Sequence, residues 1–200
     1  MKFLKYDKET MRFPSILGTG LQRYDSYDDD AAGPTNRITV FTYEVLPEIK
    51  EHITGKHIVD VGCGNGRIAA EFSSICSTVT AIDPFREMNQ RNERKNIRFL
   101  NTTLQDFEPD CEIDALYLHG VLYLMGNWDL QEAFNKMVQL IPSGGVIIIV
   151  GDRKRNISLN PPWEPGYYNL DFLCNQSGCE VISNKLLDSG VLRTVVIRKL

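Results

Sequence analysis

The sequence predicts a doubly wound α/β sheet of seven strands, mostly parallel and closed by an antiparallel C-terminal hairpin. Three observations carry that expectation. Short apolar runs of strand length alternate with segments of helical periodicity, the pattern of parallel strands joined by crossover helices. The first of these runs, Ile58–Val61, passes directly into a glycine-rich turn, Gly62-Cys63-Gly64-Asn65-Gly66. The last two runs, Cys179–Leu187 and Val191–Leu200, are separated only by Asp188-Ser189-Gly190, which suits a hairpin and not a crossover.

Taken in order, residues 1–34 form an N-terminal extension in which Phe3, Tyr6, Phe13, Tyr24 and Tyr27 sit among polar residues. The acid run Asp28-Asp29-Asp30 reads first as a solvated loop and second as part of a lid over a site. Thr35 or Asn36 can cap a helix carrying Ile38, Phe41, Val45, Leu46 and Ile49, and Pro47 is expected to kink or shorten its end. After the glycine turn, Ile68, Ala69, Phe72 and Ile75 fall at helical spacing. Thr78–Ile82 is a second strand ending in Asp83-Pro84, and a charged helix follows to about Lys95. Ile97–Leu100 is a third strand, residues 101–109 a loop, and Ile113–His119 a fourth strand. Trp128–Ile141 places Leu130, Phe134, Met137, Val138 and Ile141 on one helical face. The turn Pro142-Ser143-Gly144-Gly145 leads to a buried fifth strand, Val146–Val150. A loop rich in Arg, Lys, Asn and Pro spans 151–166, and Tyr167–Ser177 reads as a helix ending at Gly178.

Composition bounds the function. Two hundred residues, 42% of them hydrophobic, suffice for one domain with a sizeable core. A net charge of −4 argues against a nucleic-acid partner. The five cysteines form no CxxC pair, which points to free thiols in a reducing, cytoplasmic compartment and away from a disulfide frame or a zinc site. The first ten residues contain no apolar core of a signal peptide, and the longest apolar run, Val146–Val150, is strand-sized, so no membrane association is expected.

Strand, glycine turn and helix make a nucleotide site at the carboxyl end of an open sheet. The spacing selects which one. Gly62, Gly64 and Gly66 follow G-x-G-x-G, and Arg67 stands where a dinucleotide fingerprint has its last glycine. No Lys-Ser or Lys-Thr pair follows, so a phosphate-cradling loop is not indicated. Asp83, closing the second strand, can accept hydrogen bonds from ribose hydroxyls. Asp106, in the loop after the third strand, can reach an adenine amino group. The pattern suits a neutral or zwitterionic nucleoside.

Asp60-Val61-Gly62-Cys63-Gly64-Asn65-Gly66 resembles the first motif of class I S-adenosylmethionine-dependent methyltransferases. Asp83 matches their ribose-binding acid, Leu104-Gln105-Asp106 their adenine loop, and Pro142-Ser143-Gly144-Gly145-Val146 the turn before their fifth strand. The resemblance covers about residues 35–200. It implies a Rossmann-like fold, S-adenosyl-L-methionine as cofactor, S-adenosyl-L-homocysteine as product, and cofactor contacts from Asp60, Gly62, Cys63, Gly64, Arg67, Asp83, Pro84, Leu104, Gln105, Asp106 and His119. A narrower similarity, to α-N-terminal protein methyltransferases, lies in Ile16-Leu17-Gly18-x-Gly20, Gly66-Arg67-Ile68, Leu104–Phe107 and Ile148–Asp152. It implies that Arg67 pairs with the cofactor's carboxylate. The chain departs from that family after the fifth strand, where Arg153-Lys154-Arg155 stands in place of an acidic cluster.

Methyl transfer from a sulfonium is an in-line displacement, so alignment and exclusion of water matter more than a catalytic triad. His119 and Tyr123 are the catalytic candidates: His119 as base or orienting group, Tyr123 through its hydroxyl or ring. Each also has a plain packing role open to it. Tyr24, Tyr123, Arg153, Trp163 and Tyr167 are candidate contacts to the methyl acceptor, the aromatic ones suited to a cation or a flat ring. Cys63 reads as a small residue inside the turn. The leading expectation is methyl transfer to an O or N atom of a small molecule. A peptide α-amine acceptor is one alternative, and a catalytically silent binding module of the same fold another. A nicotinamide-dependent oxidoreductase fails on glycine spacing.

Overall fold

The computed structural model describes residues 40–84, 94–121, 127–152, 174, 177–188 and 192–200. A helical segment opens it, with a π-helical turn over Phe41–Val45 followed by α1, Leu46–Ile53. Strand β1 is His57–Val61, helix α2 Arg67–Phe72, β2 Thr78–Ile82, β3 Ile97–Leu100 and β4 Ala115–His119. Helix α3 is Asn127–Leu140, and β5 (Val146–Asp152), β6 (Cys179–Leu186) and β7 (Leu192–Lys199) complete the chain.

The seven strands form one sheet in the order β3-β2-β1-β4-β5-β7-β6. The first five pair in parallel, while β7 inserts antiparallel between β5 and β6. The expected fold class is met. Strand order reverses between β1 and β4, because β2 and β3 build outward on one side and β5 on the other. That reversal opens a crevice at the carboxyl end of β1.

The central strands are apolar because both faces are covered. Alternate residues feed two cores. Val59, Val61, Leu116, Leu118, Ile147 and Ile149 pack with Phe134, Met137 and Ile141 on the α3 side. Ile58, Ala81, Tyr117, Ile148 and Val150 pack with Phe41, Ile49, Ile53 and Phe72 on the other. In the second core Tyr117, Phe41 and Phe72 meet edge to face, with ring centroids 4.9 to 5.9 Å apart. Each such contact adds about 0.5–1.5 kcal/mol to the area buried.

Three local expectations are corrected. Pro47 does not end a helix; it lies in the first turn of α1, which runs on to Ile53. Proline has no N–H to donate and its ring crowds the carbonyl four residues back, so the chain before it widens into a π turn in which Leu46 N–H reaches the Phe41 carbonyl. Ile75 lies beyond α2, in a turn where its N–H donates to the Phe72 carbonyl and its own carbonyl accepts from Gly55. The fourth strand begins at Ala115, because Asp114 ties the strand starts together: its carboxylate accepts from His57 N–H at 2.8 Å. The expected charged helix after Asp83, the loop over 151–166 and the helix Tyr167–Ser177 fall mainly outside the described residues. Among the described residues, no helix is long and apolar enough to cross a membrane.

Candidate active site

The glycine turn is pinned where β1 and β2 end. Gly62 and Cys63 both donate backbone N–H groups to the Ile82 carbonyl, at 2.8 and 3.1 Å. Gly62 has φ +70°, and a Cβ placed there would lie 2.5 Å from Val121 Cγ2 in the segment leaving β4. A side chain fits that position only if Val121 moves. Gly66, at φ +80°, sets the left-handed residue from which α2 departs. Arg67 opens α2 half-buried, its N–H 3.4 Å from Asn65 Oδ1.

Two acids flank the turn. Asp60 is the penultimate residue of β1, level with Ala81 on β2 and Tyr117 on β4, and is 3% exposed. Its Oδ2 has no hydrogen-bond partner among the described residues. Burial, and then the neighbouring charge of Asp83, push its carboxyl up to about 8. Asp83 follows β2, is 7% exposed, and accepts the Gly64 N–H on Oδ2 at 3.0 Å. The second glycine and the second acid are thus held together before any ligand arrives. Pro84 follows, half-buried. Burial, reinforced by Asp60 and Asp83, raises the Cys63 thiol well above its ordinary value, which disfavours a nucleophilic thiolate.

The loop after β3 divides its residues. Leu104 and Phe107 are buried in the α3-side core, while Gln105 and Asp106 are exposed. Thr103 Oγ1 donates to Asp106 Oδ2 at 3.0 Å and accepts the Asp106 N–H at 3.2 Å, which fixes the loop. Leu104 therefore has its side chain committed to the core, and only its backbone is available to a ligand.

His119 ends β4 half-buried, with Nδ1 3.1 Å from the Tyr117 hydroxyl. Asp60, Gly62, Cys63, Gly64, Asp83 and His119 gather at the carboxyl ends of β1, β2 and β4. Tyr24, Tyr123, Arg153, Trp163 and Tyr167 lie outside the described residues. Tyr117 is a member of the site that sequence reasoning missed. The available signal was spacing: residues two apart on a strand share a face. Among the described residues there is no cluster of three or more His, Cys, Asp or Glu suited to a metal.

This is an open α/β domain with a glycine turn, a buried carboxyl with one oxygen unpartnered among the described residues, and a strand-terminal acid at its topological switch point. A family model described as "Methyltransferase domain" matches residues 58–145. The ubiquinone biosynthesis O-methyltransferase of Rickettsia typhi is 33% identical over 132 residues, covering 60% of this chain and 52% of that protein. Phosphoethanolamine N-methyltransferase 1 of Triticum aestivum is 25% identical over 145 residues, covering 64% of this chain and 29% of that one. The chain thus spans about half, or less, of the length of these curated relatives. The crystal structure of the N-methyltransferase NodS from Bradyrhizobium japonicum with S-adenosyl-L-homocysteine shares the fold: TM-score 0.68, 14% identity, 87% of this chain and 93% of that one covered. The chain shares the fold of these methyltransferases, and its residues 58–145 carry the match to the methyltransferase domain.

Proposed function

We propose that the protein is an S-adenosyl-L-methionine-dependent methyltransferase acting on an oxygen or nitrogen atom of a small molecule. The observation that carries the reading is Asp60: a fully buried carboxyl with one oxygen unpartnered among the described residues, beside a turn whose glycine admits a Cβ only if Val121 moves. Burial keeps this carboxyl protonated, and a cationic ammonium such as the cofactor's amino group is the partner that would let it ionise. Asp83 would take the ribose hydroxyls, Asp106 the adenine amino group, and Arg67 the carboxylate. The residues present therefore fit the cofactor, which when bound supplies an electrophilic methyl on a sulfonium.

The chain's own residues account for the rest. The turn fixes the nucleoside by backbone contact, with Gly64 already oriented by Asp83. His119 stands at the end of β4, on the strand beside the turn, where an acceptor can be oriented. The relatives named for O- and N-methylation support small-molecule acceptors as a class. Expected partners are the methyl acceptor alone, with neither nucleic acid nor membrane. A peptide α-amine is the second reading, supported by Arg67 after the turn, and opposed by the basic run Arg153-Lys154-Arg155. The test is S-adenosyl-L-homocysteine release against a panel of phenols, carboxylates, small amines and peptides. Release with a small acceptor supports the proposal, release with peptides alone supports the second reading, and cofactor binding with no release on any acceptor indicates a silent binding module.

A further inference from the structure

Tyr117 and His119 project from the same face of β4, toward the core that holds Phe41 and Phe72. Tyr117 is wholly buried, and its ring is fixed by edge contacts to both phenylalanines, at 5.9 and 4.9 Å. The phenol therefore has little freedom to move, and its oxygen lies 3.1 Å from His119 Nδ1. The two rings stand at 80° with centroids 6.2 Å apart, so the contact runs through the hydroxyl and not through stacking.

We propose that Tyr117 is a positioning residue: its hydroxyl donates to His119 Nδ1 and holds the neutral imidazole in the tautomer that carries its proton on Nε2. The direction follows from the groups. One ring nitrogen of a neutral imidazole donates and the other accepts. A phenol is a good donor whose oxygen lone pairs are partly delocalised into the ring, which makes it a poor acceptor. Donation to Nδ1 leaves the proton on Nε2, the tautomer that neutral histidine already favours in water, so the contact reinforces an existing preference. The second nitrogen's role is set by the bond the first one makes.

The consequence changes what His119 does. With Nε2 protonated that nitrogen is a donor and carries no lone pair, so His119 does not take a proton from the acceptor. This functional meaning rests on the methyltransferase reading. It favours an acceptor with an oxygen lone pair over a cationic ammonium, which an N–H donor repels.

The chain contains three histidines, so the tautomer can be read directly. The experiment records long-range proton–nitrogen spectra of the full chain labelled with ¹⁵N-histidine at alkaline pH, with His119→Asn to assign the signals. The expected result is a protonated Nε2 and an unprotonated Nδ1 displaced by an accepted hydrogen bond. In Tyr117→Phe, Nδ1 should move to the position of a pyridine-type nitrogen lacking that bond. A wild-type spectrum with the proton on Nδ1 overturns the proposal, and so does a Tyr117→Phe spectrum identical to the wild type. If the variant folds poorly, the wild-type Nδ1 decides alone: a position displaced by an accepted hydrogen bond supports the proposal, and that of a pyridine-type nitrogen without one overturns it. Failure of the wild type to bind S-adenosyl-L-homocysteine overturns the donor role together with the methyltransferase reading, and leaves the tautomer as measured.

Discussion

Asp60→Asn offers a quantitative test of the site's electrostatics. Asp60 is held near pKa 8 in the folded chain, against an ordinary value of 3.8. Between those values the folded protein keeps a proton that the unfolded chain has lost. Stability is therefore fully present below the unfolded value and falls as pH rises toward the folded one. A difference of one proton gives a slope of about 1.4 kcal/mol per pH unit, or about 3 kcal/mol between pH 5 and 7. Asparagine has nearly the same shape and cannot ionise, so Asp60→Asn removes this contribution. The assay is urea unfolding of both proteins without ligand at pH 5, 6 and 7, with equal m-values as the check that the denatured states match. The variant's advantage over the wild type should grow by about 3 kcal/mol from pH 5 to 7, since the difference between the two isolates the one group. Parallel pH profiles would refute the argument that burial keeps this carboxyl protonated.

Other consequences follow from the same geometry. Binding of S-adenosyl-L-homocysteine at pH 7 should release close to one proton as its ammonium ionises Asp60, read as calorimetric heats that vary with buffer ionisation enthalpy; buffer-independent heats contradict it. Asp83→Ala removes both the ribose acceptor and the Gly64 anchor, and should weaken that binding at least tenfold, about 1.4 kcal/mol, by the same calorimetry. Gly62→Ala should destabilise the fold by about 2–4 kcal/mol, from left-handed backbone strain plus the clash with Val121. Adding Val121→Ala should recover the clash but not the strain, a partial rescue visible in denaturant midpoints. Lys199 donates to the Val138 and Ile141 carbonyls at 2.9 and 2.8 Å, closing the C-terminal end of α3, so Lys199→Met should cost about 1–2 kcal/mol in the same assay.

Much of this architecture was legible because parallel strands buried on both faces must be nearly continuous apolar runs, as Val146–Val150 is. The hairpin was legible from a three-residue polar spacer. Boundaries were less so: the strand at Ile113 begins two residues later because the Asp114 side chain, and not its hydrophobicity pattern, sets the start. Pro47 misled because proline's effect depends on its position within a helix, and local periodicity does not give that position. In the site, Asp60 and Asp83 could be read from strand and turn order. The Val121 contact at Gly62 is tertiary, since it depends on how β4 lies beside β1, whereas the Tyr117–His119 bond is local to β4 and its signal was the two-residue spacing.

The central claim is that the Gly62–Gly66 turn with Asp60 and Asp83 holds S-adenosyl-L-methionine. Isothermal titration of the full chain with S-adenosyl-L-methionine and S-adenosyl-L-homocysteine tests it most directly. The expected result is one site per chain, micromolar affinity for both ligands and a tenfold or greater loss in Asp83→Ala. No binding of either ligand up to high micromolar concentration, or unchanged affinity in Asp83→Ala, contradicts it.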